Sequence, residues 1–354
     1  MNGKGWRDNA PTNGDRIHAV IGRFQMQHLG HDHLFDQALK DADTLIIFLG
    51  SANHAITFKN PFTDFERQVM VEQYIRSKNK EARLEIRNVP DFIDDIDWAN
   101  YIKREIASIK TEEDWVFLYG FEKDASSYYL KYFPEYTSKA VESFHATDDE
   151  ILGATEIREM IYKGDPNWKA FVNEFVQERV EAWMKTPAYK NVKEQYDFTM
   201  NYRKQFAPIT DGEKKYDINF ITVDNVVFCG GEVIVVKRKE YPGTGLFALP
   251  GGFLLKDKTL RRSADVHFEK KTGIDITHEE PKKFFVVDNP DRSLRGRTVT
   301  NVFVYDLPVE KYYNLLKNNK NIILKTAATF AITDINKFFE DHFQIIVKAD
   351  RMIR

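Results

Sequence analysis

Cysteine is nearly absent from this 354-residue chain: Cys229 stands alone, so no internal disulfide can form and a disulfide-stapled secreted domain is excluded. Long apolar runs are missing too. The most apolar stretch, Asn225 to Val236, is broken by Gly230, Gly231 and Glu232, well short of the roughly 18–20 residues that span a bilayer. Met1 to Asp8 hold no apolar segment of signal-peptide length, so a cytoplasmic location is expected, with no membrane partner. Nor does one sign of charge prevail. With 51 Lys+Arg against 54 Asp+Glu the formal net charge is -3, which leaves neither a global footprint for nucleic acid nor an acidic tail. Internal repeats and low-complexity tracts are also lacking.

What remains is the composition of a folded protein. Hydrophobic residues make up 42% and aromatics 14%, too much for a disordered chain, and the length suits roughly two to three domains. Residues 1–15 read as a polar, Gly- and Asn-rich lead-in. From Arg16 short apolar runs alternate with amphipathic stretches. His18–Ile21, Thr44–Leu49 and Val116–Tyr119 read as buried strands, with weaker candidates near Leu84–Ile86 and Ala140–Val141. Between them, Phe65–Ile75 and Trp98–Ile109 have helical patterning. This alternation predicts an α/β domain over 16–185 with a doubly wound, Rossmann-like parallel sheet. Asn167–Met184 reads as one long helix. Residues 186–205 show no firm pattern and are expected to be a linker. Beyond them strand patterns dominate (217–229, 233–238, 283–287, 299–305), with one helical block over Thr259–Lys271, so 206–354 is expected to be an α+β domain.

The sharpest feature is Gly22-Arg23-Phe24-Gln25-Met26-Gln27-His28-Leu29-Gly30-His31, directly after the first strand. In a doubly wound fold the carboxyl end of that strand faces the ligand crevice, and the N-terminus of the following helix offers unpaired N–H groups and a positive dipole end. His28 and His31, three apart, fall on one side of a first helical turn. Gly30 would let a phosphate approach the backbone, and the Arg23 fork matches phosphate oxygens. Histidines near a strand end can be incidental, but this setting favours a phosphate site. The string resembles the Gly-Arg-Phe-Gln-Pro-Phe-His-x-Gly-His signature of nicotinamide mononucleotide (NMN) adenylyltransferases, with Met26 and Gln27 in place of Pro and Phe.

Two further segments carry the resemblance. Asn60-Pro61-Phe62-Thr63-Asp64-Phe65-Glu66-Arg67 is similar to the family segment that gives an arginine, here Arg67, to the phosphates. Thr63 and Glu66 also have the spacing of a helix capping box. Gly153-Ala154-Thr155-Glu156-Ile157-Arg158 is similar to the Ile-Ser-Ala-Thr-x-Ile-Arg motif at a triphosphate, with Gly153 replacing a hydroxyl or amide side chain. The resemblance implies His28, His31, Arg23 and Arg158 at the reacting phosphates. It further implies Gly22, Phe24, Gln25, Gly30, Arg67, Gly120, Thr155 and Ile157 around ATP, and Trp98 at the nicotinamide ring, where a core tryptophan is as good a reading. Adenylyl transfer needs no strong base, because the mononucleotide phosphate is already anionic; cations, a helix N-terminus and Mg2+ carried on ATP suffice. Nearby phosphates should favour protonated histidine.

In the second half, Leu249-Pro250-Gly251-Gly252-Phe253 and Thr272-Gly273-Ile274 resemble the two ends of a Nudix box. Aligning Gly252 and Gly273 places Lys258, His267, Lys270 and Lys271 where that box has its metal-binding glutamates. Asp265 and Glu269 lie two positions from a ligand position, roughly 200° around the helix at about 100° per residue, and should point away. Asp257 to Gly273 holds five Lys/Arg against three Asp/Glu, an unfavourable place for a divalent cation.

The whole chain is thus similar to bifunctional NMN adenylyltransferase/Nudix proteins. That implies ATP and NMN as substrates, NAD and pyrophosphate as products, and a Nudix-like domain without ADP-ribose pyrophosphatase activity by the usual mechanism. Two alternatives stand beside it: a truly bifunctional enzyme recruiting acids such as Glu279 and Glu280, or a nucleotide-sensing regulator that binds ADP-ribose. Self-association is left open.

Overall fold

The computed structural model describes residues 14–79, 81, 83–121, 125–142, 153–206, 209–211, 214–326 and 332–354; the lead-in expected over 1–15 lies almost wholly outside the described residues. Two compact units divide the chain: Met1–Ala52 with Phe62–Thr186, and Asn53–Pro61 with Pro187–Arg354.

In the first unit, β1 (Arg16–Gly22), β2 (Thr44–Leu49), β3 (Arg83–Asn88), β4 (Trp115–Phe121) and β5 (Thr137–Val141) form one sheet in the order β3-β2-β1-β4-β5, every pairing parallel. β2 is buried along its whole length, as its unbroken apolar run requires of a strand covered on both faces. One core layer gathers Val20, Phe35, Leu45, Ile47 and Val71; the other gathers Ala19, Ile46, Phe48, Ile102 and Leu118. The helices are α1 (Leu29–Leu39), α2 (Asp64–Lys78), α3 (Asp95–Ala107), α4 (Ala154–Lys163) and α5 (Glu174–Trp183). α2 starts in a capping box: the Glu66 N–H donates to Thr63 Oγ1, and the Thr63 N–H to Glu66 Oε2 at 2.8 Å. Its buried positions Arg67, Met70, Val71, Tyr74 and Ile75 have the spacing of one helical face.

The single helix expected over 167–184 is in fact two pieces. A 3₁₀ segment (Pro166–Phe171) ends at extended Val172, and α5 begins afresh with Asn173 as its cap, Oδ1 accepting from the Val176 N–H. An N-cap side chain inside an otherwise periodic stretch was the stop signal. Residues 187–204 are a full helix, α6 (Pro187–Lys204), belonging to the second unit. Its buried stripe, Val192, Gln195, Tyr196 and Thr199, is narrow and half polar, so hydropathy alone does not reveal it.

The second unit continues with a two-stranded pair, β6 (Ile209–Asp211) and β7 (Lys214–Tyr216). Its main sheet holds β8 (Phe220–Cys229), β9 (Glu232–Lys237), β10 (Phe247–Ala248), β11 (Gly251–Phe253), β12 (Lys283–Val287), β13 (Thr298–Leu307) and β14 (Ile323–Thr326). β8 and β9 are joined through Gly230-Gly231, both at positive φ, as a two-residue hairpin demands. β8 pairs with β13 in parallel and the remaining pairs are antiparallel, a mixed α+β sheet. Among the described residues its strands are joined or followed by α7 (Leu260–Thr272), α8 (Val309–Lys317) and α9 (His342–Ile353), where one helical block was expected. No helix among the described residues is long and apolar enough to cross a membrane.

Candidate active site

The β1 strand ends at Gly22, and the Gly22 carbonyl accepts from the Gly50 N–H at 2.8 Å, which holds the carboxyl ends of β1 and β2 together. A side chain at Gly22 would strike the Phe24 ring, with a Cβ only 2.7 Å from Cζ. The chain then turns through Phe24, at φ 48, into α1. His28 is the N-cap of that helix, its Nδ1 accepting from the Gly30 N–H at 3.2 Å. The His28 and His31 rings lie 3.8 Å apart between centroids and 35° from parallel, so the three-residue spacing does bring both imidazoles to one side of the helix N-terminus. Gly30 leaves out a side chain beside the histidine rings. A Cβ there would sit 2.9 Å from His28 Cε1, so the missing side chain makes room for the imidazole.

Several sequence-predicted residues face inward. Phe24 is buried, edge-on to His31 at 4.8 Å and against Phe35, and so supports the histidine ring from beneath. Gln25 is buried with both amide atoms on the Phe62 backbone: Nε2 donates to the carbonyl at 2.8 Å and Oε1 accepts from the N–H at 3.1 Å. Ile157 is a fully buried core residue. All three side chains are buried. Arg67 departs most from the expectation. It is 0% exposed, and its guanidinium donates to the carbonyls of Arg23 (2.5 Å) and Gly50 (2.7 Å) and to Asp64 Oδ1 (2.6 Å). Burial lowers its pKa against the pull of Asp64. In this conformation Arg67 braces the strand ends from within.

Arg23 and Arg158 supply the cationic character. Arg23 is exposed. Arg158 is buried, donates to Thr155 Oγ1 at 3.2 Å, and has its pKa brought down to about 10, chiefly by burial and in part by the nearby charge of Arg23. The Arg158 guanidinium stays charged at neutral pH. Gly153 caps α4 without a side chain; Glu156 Oε2 accepts from its N–H at 3.1 Å instead. Trp98, on α3, is half-buried and edge-on to Tyr129 and Phe133 from the segment that follows β4. Gly120, next to the last residue of β4, lies under the Tyr129 hydroxyl, 3.1 Å from a Cβ built there; residues 122–124 lie outside the described residues.

Sequence reasoning missed a buried polar group beside the histidines. Asp32 accepts from Gln27 Nε2 at 2.7 Å and from Asn173 Nδ2 at 2.9 Å, and burial pushes its carboxyl up to about 6. An acid one residue beyond a His-x-x-His pair on the same helix was the available signal.

In the second unit the Nudix-like loop and helix are in place, with α7 following β11 and ending at Gly273 in the left-handed region (φ 73). Lys258 pairs with its neighbour Asp257 at 2.8 Å. His267 contacts the Phe253 carbonyl at 2.7 Å, and its ring fills the space a side chain at Gly252 would need. Lys270 and Lys271 occupy the exposed last turn of α7, where they complement the helix dipole. Asp265 is buried against Tyr305 and Glu269 is exposed. Glu279 is taken by Lys311 and Tyr312, and Glu280 by Arg261 at 2.6 Å, so neither acid enters the box. Among the described residues no three His, Cys, Asp or Glu side chains gather to hold a metal. The side chains at the four aligned box positions, three lysines and an imidazole already in contact with a carbonyl, do not fit a divalent cation.

Known proteins share this architecture. Residues 19–159 match the cytidylyltransferase-like family, which makes the first unit a nucleotidyltransferase domain. A nicotinamide/nicotinic acid mononucleotide adenylyltransferase from Acinetobacter baylyi is 35% identical over 176 residues, 50% of this chain and 90% of its own. A nicotinamide-nucleotide adenylyltransferase from Pyrobaculum aerophilum is 30% identical over 165 residues, 46% of this chain and 85% of its own. The chain belongs to the NMN adenylyltransferase family. The crystal structure of a bifunctional NMN adenylyltransferase/ADP ribose pyrophosphatase from Francisella tularensis matches with a TM-score of 0.80 at 26% identity, covering 95% of this chain and 99% of that one. The α+β unit therefore has its counterpart there as well.

Proposed function

We propose that this chain transfers the adenylyl group of ATP to NMN, giving NAD and pyrophosphate. The observation that carries the reading is the His28–His31 pair at the N-terminus of α1, a few residues after Arg23, whose charge acts on buried Arg158. An NMN phosphate oxygen attacks the α-phosphorus of ATP. The bond from that phosphorus to the bridging oxygen breaks, and pyrophosphate leaves with the electron pair. The nucleophile needs no deprotonation, so the task of the protein is to neutralise and align. The two imidazoles and the α1 N–H groups face the transferred phosphate; Arg23 and Arg158 hold the oxygens of the leaving pyrophosphate, with Gly120, Gly153 and Thr155 lining the nucleotide. Trp98 offers an aromatic surface for the nicotinamide ring. A divalent metal belongs to this chemistry, and we assign it to Mg2+ arriving with ATP, which supplies further neutralisation of the triphosphate.

The second unit does not hydrolyse ADP-ribose in this reading, because its box carries Lys258, His267, Lys270 and Lys271 where acids are required. The test is pyrophosphate release from ATP on adding NMN or nicotinic acid mononucleotide, beside AMP release from ADP-ribose. Release dependent on a mononucleotide, abolished in His31→Ala, is expected. No release with either mononucleotide would sink the assignment.

A further inference from the structure

The contacts of Asp32 single it out within the first unit. The bond from Gln27 Nε2 to Asp32 Oδ1 leaves the chain one residue before His28 and returns one residue after His31. It closes a loop around the four residues that carry both imidazoles. The other carboxylate oxygen accepts from Asn173 Nδ2, 141 positions away in sequence. Asn173 is itself fixed, since its Oδ1 caps α5, so the orientation of its amide is settled by a second bond. From a third direction, the Tyr74 hydroxyl on α2 lies 3.5 Å from the Asp32 backbone carbonyl. Gln27 is 0% exposed and Asp32 4%.

Both side-chain partners of Asp32 are neutral amides donating N–H groups. These two bonds favour the ionised carboxylate, against the burial that disfavours it. The charged neighbours divide: Asp36 on α1 disfavours ionisation, Lys78 on α2 favours it, and Tyr74 is occupied by Asp36 at 3.0 Å. A buried carboxylate without a cationic partner is costly, and a leucine or asparagine would fill the same space at less cost. Its position around the histidine turn supplies the reason for keeping it.

We propose that Asp32, in its ionised form and held by Gln27 and Asn173, is the positioning residue that sets the His28–His31 turn for adenylyl transfer. The proposal rests on the assignment of this turn to the reacting phosphates. Protonation of Asp32 removes an acceptor from one amide, loosens the loop, and lowers turnover on the acid side.

The test compares the full chain with Asp32→Asn and Asn173→Ala, following pyrophosphate release from ATP and NMN between pH 5 and 9. Asp32→Asn is expected to lower kcat about ten-fold or more while the KM for ATP changes little, and to remove the acid-side fall that belongs to the protein. Asn173→Ala, which deletes one donor, should move that fall to higher pH. The ionisation of the NMN phosphate is common to all three proteins and cannot produce such a difference. Should Asp32→Asn fail to fold, Asn173→Ala decides alone. An independent readout needs no turnover: the imidazole NMR resonances of His28 and His31 should change their titration midpoints in both variants. Unmoved midpoints and an unmoved acid limb would overturn the proposal. Moved midpoints in a protein that releases no pyrophosphate with any mononucleotide would uphold the positioning and refute the reaction.

Discussion

The guanidinium of Arg67 donates to the backbone carbonyl of Arg23 at 2.5 Å, so one buried arginine fixes the residue that leads into the histidine turn. The same group reaches Gly50 on the neighbouring strand end and pairs with Asp64 on its own helix. A cation directed at carbonyls at the ends of two parallel strands replaces the water those groups would otherwise require.

Replacement of Arg67 should therefore affect stability before affinity. Arg67→Met leaves Asp64 and two carbonyls without their donor, an expected loss of about 3–5 kcal/mol and a Tm lower by roughly 10 °C. Thermal unfolding of the full chain measures this. A direct phosphate contact would give the opposite result, a raised KM for ATP at an unchanged Tm.

Gly30→Ala separates folding from chemistry. Alanine is the better helix former by about 1 kcal/mol, so stability alone argues for a neutral or favourable change. The added Cβ, however, would lie 2.9 Å from His28 Cε1, and the imidazole must swing away. We expect Tm within a few degrees of the parent and kcat lower by roughly ten-fold or more. Near-parental kcat would show that the spacing of the two rings is not critical.

Two buried groups, one in each unit, contribute to stability with opposite dependence on pH. Asp32 titrates at about 6 in the fold against 3.8 ordinarily, so its contribution is fully present below pH 3.8 and is lost as pH rises through 6. His342, buried with Nδ1 accepting from the Leu249 N–H at 2.8 Å, is pushed down to about 4 from 6.5. Its contribution is present above pH 6.5 and is lost as pH falls towards 4. Each shift corresponds to something of order 3 kcal/mol. Urea unfolding at pH 5 and pH 7 should show Asp32→Asn losing more stability than the parent on acidification, and His342→Gln losing less. Slopes equal to the parent in both variants would refute the assignment.

The sequence reading is most faithful where a physical constraint is local. Thr44–Leu49 could be read as a buried strand because burial on both faces requires an uninterrupted apolar run. The facing of His28 and His31 followed from helical spacing, and the loss of the Nudix acids from simple alignment of two glycines. Direction was not legible. Phe24, Gln25, Ile157 and Arg67 sit in motifs shared with phosphate-binding proteins, yet each side chain is buried, because residue type does not say which way the backbone turns it. The Asp32–Asn173 bond joins residues 141 positions apart, a separation at which periodicity is silent. Likewise α6 escaped notice because its buried stripe includes Gln195 and Thr199.

The second unit offers the last prediction. A pyrophosphatase box needs several carboxylates on one helix face around a divalent cation. Here Lys258 is paired with Asp257, His267 is held at the Phe253 carbonyl, and Lys270 and Lys271 lie on the last turn of α7. ADP-ribose incubated with Mg2+ or Mn2+ should release no AMP above the uncatalysed background. Restoring only the terminal acids, as Lys270→Glu with Lys271→Glu, should not rescue it, because Lys258 and His267 still exclude the cation. Two acids at a helix C-terminus also oppose the dipole, at about 0.3–1 kcal/mol each, so the double variant should unfold slightly earlier. Measurable hydrolysis by the parent chain would mean that acids outside the box reach the substrate, and the charge argument for this unit would fail.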